Sequence, residues 1–199
     1  MIPTRKEADR LLEWAQEQNP GIWTDHSKVV ARAAEAIAGK CGLDTDRAYV
    51  SGLLHDIGRY EGVKYLHHTY AGYELLKSKG FDTTAELCIS HSFPLKDIEE
   101  YFGENDCTPD EIEIIKSFLS TATYNEYDKL IQLCDAMCAA EGVAIIQVRI
   151  MDVIRRYGFA KLTLEKIEAL FELKDYFDKL CGMNIYDLFY DEITGIVLK

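Results

Sequence analysis

A histidine and an aspartate stand side by side at positions 55 and 56, after the apolar approach Gly52-Leu53-Leu54 and before Ile57-Gly58-Arg59. Because burying an unpaired carboxylate costs several kcal/mol, a buried His-Asp pair needs a partner. A divalent cation is one such partner, since neutral imidazole and carboxylate groups are both common metal ligands. The alternative is a core histidine beside a carboxylate at a helix end. Further ligands elsewhere in the chain would favour the metal.

The chain contains five histidines, and all of them lie between residues 26 and 91. His26 begins an apolar helical stripe, His68 begins another predicted helix, and His91 ends a third. Asp135 lies within an apolar helical stretch, where a carboxylate needs a compensating partner. Helical domains build metal sites from inward-facing side chains of neighbouring helices. The pattern therefore favours a shared metal site over separate core histidines.

Helical periodicity covers nearly the whole chain and predicts an all-α single domain over residues 1–199. Caps are predicted at Asp44 or Thr45, at Thr108, at Thr24 or Asp25, and at Asp82 or Thr83. No strand alternation, internal repeat or domain boundary is evident. The predicted helices cover residues 5–18, 26–39, 45–56, 68–79, 84–91, 109–119, 129–141, 144–157, 163–181 and 185–193, with a short turn or helix within 94–102.

The net charge of −12 argues against binding to duplex nucleic acid or to an anionic membrane, since both need basic patches. No apolar run approaches the roughly 20 residues of a membrane span. The N-terminus is polar at once and lacks the apolar core of a signal peptide. We therefore expect a cytoplasmic protein. The apolar residues 144–146 and 171–177 could serve either the core or a homodimer interface.

Six cysteines are scattered along the chain without a CxxC pair, so neither a zinc-ribbon spacing nor a redox motif is present. We expect reduced thiols, the default in a reducing compartment. Cys134 neighbours Asp135, but its apolar surroundings favour a small buried side chain over a metal ligand.

The chain resembles the HD-domain superfamily of metal-dependent phosphohydrolases. The resemblance is carried by His26, by the doublet within Gly-Leu-Leu-His-Asp-Ile-Gly-Arg at residues 52–59, and by Asp135. The pattern of that family is a histidine, a His-Asp doublet and a distant aspartate. Some members add two histidines that allow a second metal, and His68 and His91 resemble these. The resemblance implies a helical bundle of the HD-domain type.

The resemblance covers about residues 22–142. We expect this segment to form the metal-binding core, with the helices of residues 144–199 packed on it.

The resemblance also implies a ligand set for one or two divalent transition-metal ions. Asp56 would bridge two ions and would be the catalytic residue. Mixed nitrogen and oxygen ligands suit iron, manganese, cobalt, nickel or zinc more than magnesium, which prefers oxygen. Among these we expect iron or manganese, with nickel, cobalt and zinc as alternatives. The implied reaction is hydrolysis, by metal-bound hydroxide, of a phosphate ester or anhydride in a nucleotide or another small phosphorylated metabolite. The implied metal ligands are His26, His55, Asp56, His68, His91 and Asp135.

Substrate binding is expected at Arg59, Lys64 and His67. Arg59 follows His55 by four residues, so a continuing helical turn would bring it near the metals; an exposed cation at a helix end is the alternative. His67 neighbours His68 and is a candidate acid for the leaving group, unless it is simply exposed to solvent. Further candidates for phosphate or base contacts are Arg149, Arg155, Arg156, Tyr60, Tyr65, Tyr73 and Phe93.

Two other functions fit the same ligands. One is a dinuclear-iron oxygenase of HD-like fold acting on a small polyol or phosphonate, which oxygen consumption would reveal. The other is a non-catalytic module that senses a metal or nucleotide, which binding without turnover would reveal.

Overall fold

A computed structural model describes residues 1–197, whose regular secondary structure is helical apart from two strands of two residues each. The all-α fold class predicted from the sequence is confirmed. Residues 198 and 199 of the predicted single domain lie outside the described residues. Short 3-10 segments cover Ile57–Glu61, Ile98–Glu100 and Ile185–Phe189. The described α-helices are α1 Arg5–Gln18, α2 Trp23–Cys41, α3 Thr45–Leu54, α4 His67–Ser78, α5 Asp82–Ser90, α6 Pro109–Thr121, α7 Glu126–Met137, α8 Ile146–Tyr157, α9 Thr163–Cys181 and α10 Tyr190–Val197.

Two helix starts follow the predicted capping chemistry. The Asp44 carboxylate accepts a hydrogen bond from the Arg47 backbone N–H at 3.0 Å and caps α3. Thr108 caps α6 through a reciprocal pair of hydrogen bonds with Glu111, and Pro109 is the first helical residue. These caps satisfy N–H groups that have no partner within the helix.

The cap predictions at the starts of α2 and α5 are wrong. Ile22 precedes α2 and Phe81 precedes α5, and neither makes a capping hydrogen bond through its side chain. Thr24 lies inside the first turn of α2, and its hydroxyl donates to the Gly21 carbonyl at 3.2 Å. Helix α2 therefore begins before the residues expected to cap it.

Helix α7 ends earlier than predicted because the chain enters a short antiparallel hairpin. Strand β1, Cys138–Ala139, pairs with β2, Gly142–Val143, in the register Cys138↔Val143 and Ala139↔Gly142. Two-residue strands are too short to produce an alternating pattern in the sequence.

Helix α2 lies at the centre of the largest apolar cluster, where its Val30 and Ile37 pack with Leu133 of α7. The C-terminal helices enter the same cluster through Ile150 of α8 and Phe177 of α9. Full burial of one such side chain contributes about 1.5–3 kcal/mol. The segment after residue 142 thus shares a core with the segment before it. Within residues 1–197, no helix is both long and apolar enough to cross a membrane.

A disulfide joins Cys41, at the end of α2, to Cys181, at the end of α9. The expectation of reduced thiols is therefore wrong for this pair. The two residues are 140 positions apart, so only tertiary packing brings them together. Cys88, Cys107, Cys134 and Cys138 are free thiols.

Candidate metal centre

The six predicted metal ligands converge from five helices. His26 lies in the first turn of α2, and His68 lies at the second position of α4. His55 and His91 are the residues directly after α3 and α5, and Asp56 follows His55. Asp135 lies two residues before the end of α7. The first five are buried and Asp135 is half-buried, so most of the cluster is shielded from solvent.

One subgroup consists of His26, His55 and Asp135. The Nε2 atom of His26 lies 3.0 Å from Asp135 Oδ1 and 3.3 Å from His55 Nε2. His55 Nε2 is 3.7 Å from the same Asp135 oxygen. One ligand atom from each residue lies within 4.8 Å of the others, so the three can hold one metal ion.

The second subgroup is built around the Asp56 carboxylate. Its Oδ1 atom lies 2.9 Å from His68 Nε2 and 3.7 Å from His91 Nε2. Its Oδ2 atom lies 3.9 Å from His55 Nε2. His55, Asp56 and His91 again have ligand atoms within 4.8 Å of one another. Because His55 belongs to both subgroups, they form one continuous cluster.

Backbone carbonyls orient three of the imidazoles. The Nδ1 atom of His55 lies 2.7 Å from the Gly52 carbonyl oxygen, and that of His91 lies 3.3 Å from the Leu87 carbonyl. His68 Nδ1 faces the carbonyl of Tyr65 in the same way. Each Nδ1–H therefore donates to the main chain, which leaves the Nε2 lone pair directed into the cluster.

The buried Nε2 atom of His68 has no hydrogen-bond partner, although it lies 2.9 Å from Asp56 Oδ1. Two atoms that both present lone pairs repel each other unless a cation lies between them. The donor set of imidazole nitrogens and carboxylate oxygens suits a divalent transition metal. The residues present therefore fit the metal that the sequence implies.

Gly58 and Gly72 set the distance between the doublet and α4. A Cβ atom on Gly58 would lie 2.0 Å from the His68 carbonyl oxygen and 2.4 Å from the Gly72 amide nitrogen. Only a glycine lets the 3-10 turn after Asp56 approach α4 this closely. This contact brings His68 to Asp56.

Burial alone would raise the pKa of both carboxylates, but their partners outweigh it. The Arg59 guanidinium, with His68 and His55, holds the pKa of Asp56 well below its usual range. The hydrogen bond with His26 and the nearby His55 imidazole do the same to the pKa of Asp135. Both carboxylates are therefore charged at neutral pH, as metal ligands must be.

Burial acts in the opposite direction on the imidazoles because it disfavours their charged form. It lowers the pKa of His91 to about 3, assisted by the neighbouring His55. Burial also lowers the pKa of His26 and His68. The pKa of His55 is raised instead, because Asp56 and Asp135 outweigh its burial. Three imidazoles thus remain neutral, the form that binds metal.

The three expected substrate-binding residues have different surroundings. Arg59 Nε donates to Asp56 Oδ2 at 2.6 Å, and Arg59 Nη1 donates to the Lys64 carbonyl at 3.2 Å. Lys64 is half-buried and contacts Arg59 through its main chain. His67 is not part of the six-ligand cluster. Its ring nitrogens face Glu61 and Glu111 instead.

Arg149, Arg155 and Arg156 of α8 all pair with Asp152 and not with the cluster. Of the aromatic candidates, Phe93 is fully buried in a core cluster.

A cavity of about 260 Å³ lies between residues 98–105 and residues 157–161. Its wall includes Leu66, Tyr101 and Tyr157. The charges of Arg59 and Asp56 both influence the pKa of Tyr101, which burial raises. None of the six proposed ligands is among the residues that line this cavity.

Lys166 of α9 is a residue near the centre that sequence reasoning missed. Its buried ammonium donates to the Ser92 carbonyl at 2.7 Å, directly after His91, and lies 3.9 Å from Glu100 Oε2. A signal was present, because Thr163, Lys166 and Leu170 share the buried stripe of α9. A lysine on an apolar stripe indicates a buried charge with a partner.

Comparison with known proteins places the cluster within a family. The family model described as HD domain matches residues 23–140, more than half of the chain. Ribonuclease Y of Mycoplasma capricolum and ribonuclease Y of Mycoplasma mycoides are each 33% identical to this chain over 107 residues. That alignment covers 53% of this chain and 20% of each relative. The chain thus spans about a fifth of the length of these curated relatives.

Two solved structures of the HD domain of the L. monocytogenes phosphodiesterase PgpH are also similar. The complex with cyclic-di-AMP has 19% sequence identity and a TM-score of 0.47, and covers 87% of this chain and 94% of that one. A second structure of the same domain has 18% identity and the same TM-score, and covers 86% of this chain and 95% of that one. The family match over residues 23–140 confirms the resemblance found in the sequence, and the chain belongs to the HD domain family.

Proposed function

We propose that this chain is a metal-dependent phosphohydrolase that cleaves a phosphate ester or anhydride of a nucleotide or another small phosphorylated metabolite. The observation that supports this most strongly is the buried convergence of four imidazoles on two charged carboxylates. A protein that used these groups only for packing would have to compensate the buried charge of Asp56 and the half-buried charge of Asp135 in another way.

The proposed ligand set divides between two ions. His26, His55, Asp56 and Asp135 would hold the first, while Asp56, His68 and His91 would hold the second. Asp56 is the proposed bridge because its two oxygens face different histidines. Two bound divalent ions would lower the pKa of a shared water and hold phosphoryl oxygens. The nitrogen and oxygen ligands suit a divalent transition metal more than Mg²⁺, and iron or manganese is the proposed metal.

The charge of the loaded cluster favours an anionic substrate. Two carboxylates contribute −2 and two divalent ions contribute +4, so the centre has a net charge of +2 within a chain of net charge −12. Screening limits the repulsion from distant surface carboxylates, since the Debye length is about 8 Å at physiological salt. A phosphate is therefore attracted locally.

Arg59 is the proposed phosphate contact of the chain. A guanidinium has five N–H donors, and Arg59 uses donors on Nε and Nη1 for Asp56 and Lys64. The remaining donors can bind a phosphate oxygen while the Asp56 pair stays intact. Lys64 and His67 remain predictions as substrate-binding residues.

A substrate panel tests the function. The full chain would be loaded with Mn²⁺ and assayed against a phosphomonoester, a nucleoside triphosphate and a short RNA phosphodiester. The RNA is included because the curated relatives are named ribonuclease Y. We expect turnover of at least one class, abolished by Asp56→Ala in a chain that keeps its helical circular dichroism.

Two other results would favour the alternative functions over the phosphohydrolase. Oxygen consumption by the iron-loaded chain without phosphate release would indicate the oxygenase. Saturable nucleotide binding without turnover of any phosphorylated compound would indicate the sensing module.

The cytoplasmic location and the homodimer remain predictions. The Cys41–Cys181 disulfide is the observation that weighs against a reducing compartment, where disulfides are rare.

A further inference from the structure

A second group of metal-binding side chains lies outside the six-ligand cluster. It consists of His67 at the start of α4, Cys107 in the loop 103–108, and Glu111 in the first turn of α6. Each residue offers one ligand atom, and these atoms lie within 4.8 Å of one another. The side chains of His67 and Glu111 are only 15% and 17% exposed. The group is therefore partly shielded from water.

The His67 ring is held between two carboxylates. Its Nε2 atom lies 2.8 Å from Glu61 Oε2, and its Nδ1 atom lies 3.3 Å from Glu111 Oε2. A neutral imidazole has one N–H and can donate to only one of them. The other nitrogen then presents its lone pair to a carboxylate, which requires either a second proton or a metal ion. Metal-bound histidines commonly donate their other N–H to a carboxylate, and Glu61 is in that position.

The backbone around these side chains is held in place by other contacts. The Asp106 carboxylate accepts hydrogen bonds from the backbone N–H groups of Tyr65 at 2.9 Å and His67 at 2.8 Å. Glu111 Oε2 accepts from the Thr108 backbone N–H at 2.7 Å. The loop 103–108 is thus attached to the start of α4 without any metal. Such preorganisation lowers the cost of closing a metal site.

We propose that His67, Cys107 and Glu111 bind a Zn²⁺ ion at a site separate from the six-ligand cluster. Nitrogen, thiolate sulfur and carboxylate oxygen are all zinc ligands, and three protein ligands leave a fourth tetrahedral position for water. The thiolate distinguishes this site from the other cluster, since soft sulfur ligands select zinc. Binding releases the Cys107 thiol proton to solvent. This assignment is an alternative to substrate binding for His67.

The ion would connect the loop 103–108 to the first turn of α4. That turn contains His68, the proposed ligand of the other centre. The same loop contributes Gly103 and Asn105 to the cavity lined by Tyr101 and Tyr157. Zinc would therefore stabilise both a ligand of the cluster and one wall of this cavity.

Cobalt substitution tests the site in the full chain, because a thiolate ligand gives Co²⁺ a charge-transfer absorption band that nitrogen and oxygen ligands do not. Because the six-ligand cluster can take up two ions, we expect the wild-type chain to show this band within three equivalents of Co²⁺, and Zn²⁺ to abolish it by displacement. Cys107→Ser should lose the band. Asp56→Ala should keep it, because that change affects only the other cluster. Cys134→Ala should also keep it and controls for the thiol beside Asp135.

A wild-type chain without the band would overturn the proposal, as would a band that survives Cys107→Ser. A band lost in Asp56→Ala would also overturn it, since the thiolate would then belong to the other cluster. Circular dichroism establishes that each variant is folded. Turnover of phosphorylated substrates does not enter this test, so the two proposals fail separately.

Substitutions of Glu61 and Glu111 test the site further, with the Zn²⁺ affinity of each variant measured by competition with a chelator. Glu61→Ala should weaken Zn²⁺ binding about 10–100-fold, the usual effect of removing a group that orients a ligand. Glu111→Gln should also weaken it while the amide oxygen continues to cap α6. Unchanged zinc affinity in both variants would contradict the assignment.

Discussion

Loss of the ion pair between Arg59 and Asp56 should destabilise the chain, and by an amount that depends on whether metal is bound. Arg59→Met keeps the apolar stem of the side chain but leaves the Asp56 carboxylate without its 2.6 Å partner. The side chain of Asp56 is only 5% exposed and that of Arg59 is 28% exposed. Removing one partner of a buried ion pair costs about 3–5 kcal/mol. Because Arg59 is partly hydrated, we expect the lower value, about 3 kcal/mol.

In a chain of 199 residues, 1 kcal/mol shifts the melting temperature by about 2–4 °C. Metal-free Arg59→Met should therefore melt about 6–12 °C below the metal-free wild type. With Mn²⁺ bound, Asp56 has a second cation partner, so the difference should fall by more than half. Urea denaturation and thermal melting, each with chelator and with Mn²⁺, measure both differences.

Arg155 provides a matched control. It pairs with Asp152 at the same i,i+3 spacing, but its side chain is 82% exposed. Arg155→Met should change stability by less than about 0.5 kcal/mol. Equal stability losses in the two variants, or a loss in Arg59→Met that Mn²⁺ leaves unchanged, would refute this role of the ion pair.

Three further predictions concern positions around the centre and the core. Gly58→Ala should destabilise the chain by about 1–3 kcal/mol or more and weaken Mn²⁺ binding, because the new methyl group would lie 2.0 Å from a carbonyl of α4. Reduction of the Cys41–Cys181 disulfide should cost about 2–4 kcal/mol in urea denaturation, since it closes a long loop. Burial raises the pKa of Glu100 from its ordinary 4.5 to about 7. The folded chain then binds more protons than the unfolded chain between these values, so wild-type stability falls as pH rises through them. Glu100→Gln should gain up to about 3 kcal/mol relative to wild type between about pH 5 and pH 8.

Each of these predictions has a control. Gly39→Ala adds a methyl group at ordinary contact distance, 3.6 Å from Thr45 Cγ2, and should not weaken Mn²⁺ binding; an equal effect at both glycines would exclude the close-approach argument. A double Cys41→Ser, Cys181→Ser variant should be insensitive to reductant. A stability difference for Glu100→Gln that does not change with pH would show that the carboxylate is charged throughout.

Local chemistry explains most of what the sequence predicted correctly. The Asp44 and Thr108 caps depend on contacts within three residues, so their residue types were sufficient. The order of histidines and aspartates was sufficient to identify the family, since each ligand lies in its helix at an end or on an inward face. The positions of α2 and α5 were right, but their first residues were not.

Features that depend on tertiary contacts could not be predicted. The Cys41–Cys181 bond links residues that are distant in sequence, and Gly58 is required only because His68 approaches it. Lys166 is the intermediate case. Its place on an apolar stripe was visible in the sequence, but its partners, Ser92 and Glu100, come from another part of the fold.

Asp56 is proposed to bind both ions of a dinuclear centre, and a count of bound Mn²⁺ tests this role most directly. Equilibrium dialysis would use the full chain with Cys107→Ser, so that the proposed thiolate site cannot contribute. We predict two Mn²⁺ ions per chain, and at most one, more weakly bound, when Asp56→Ala is added while the helical circular dichroism is retained, because His26, His55 and Asp135 still form one ligand group. Unchanged Mn²⁺ content in the Asp56→Ala chain would contradict the account.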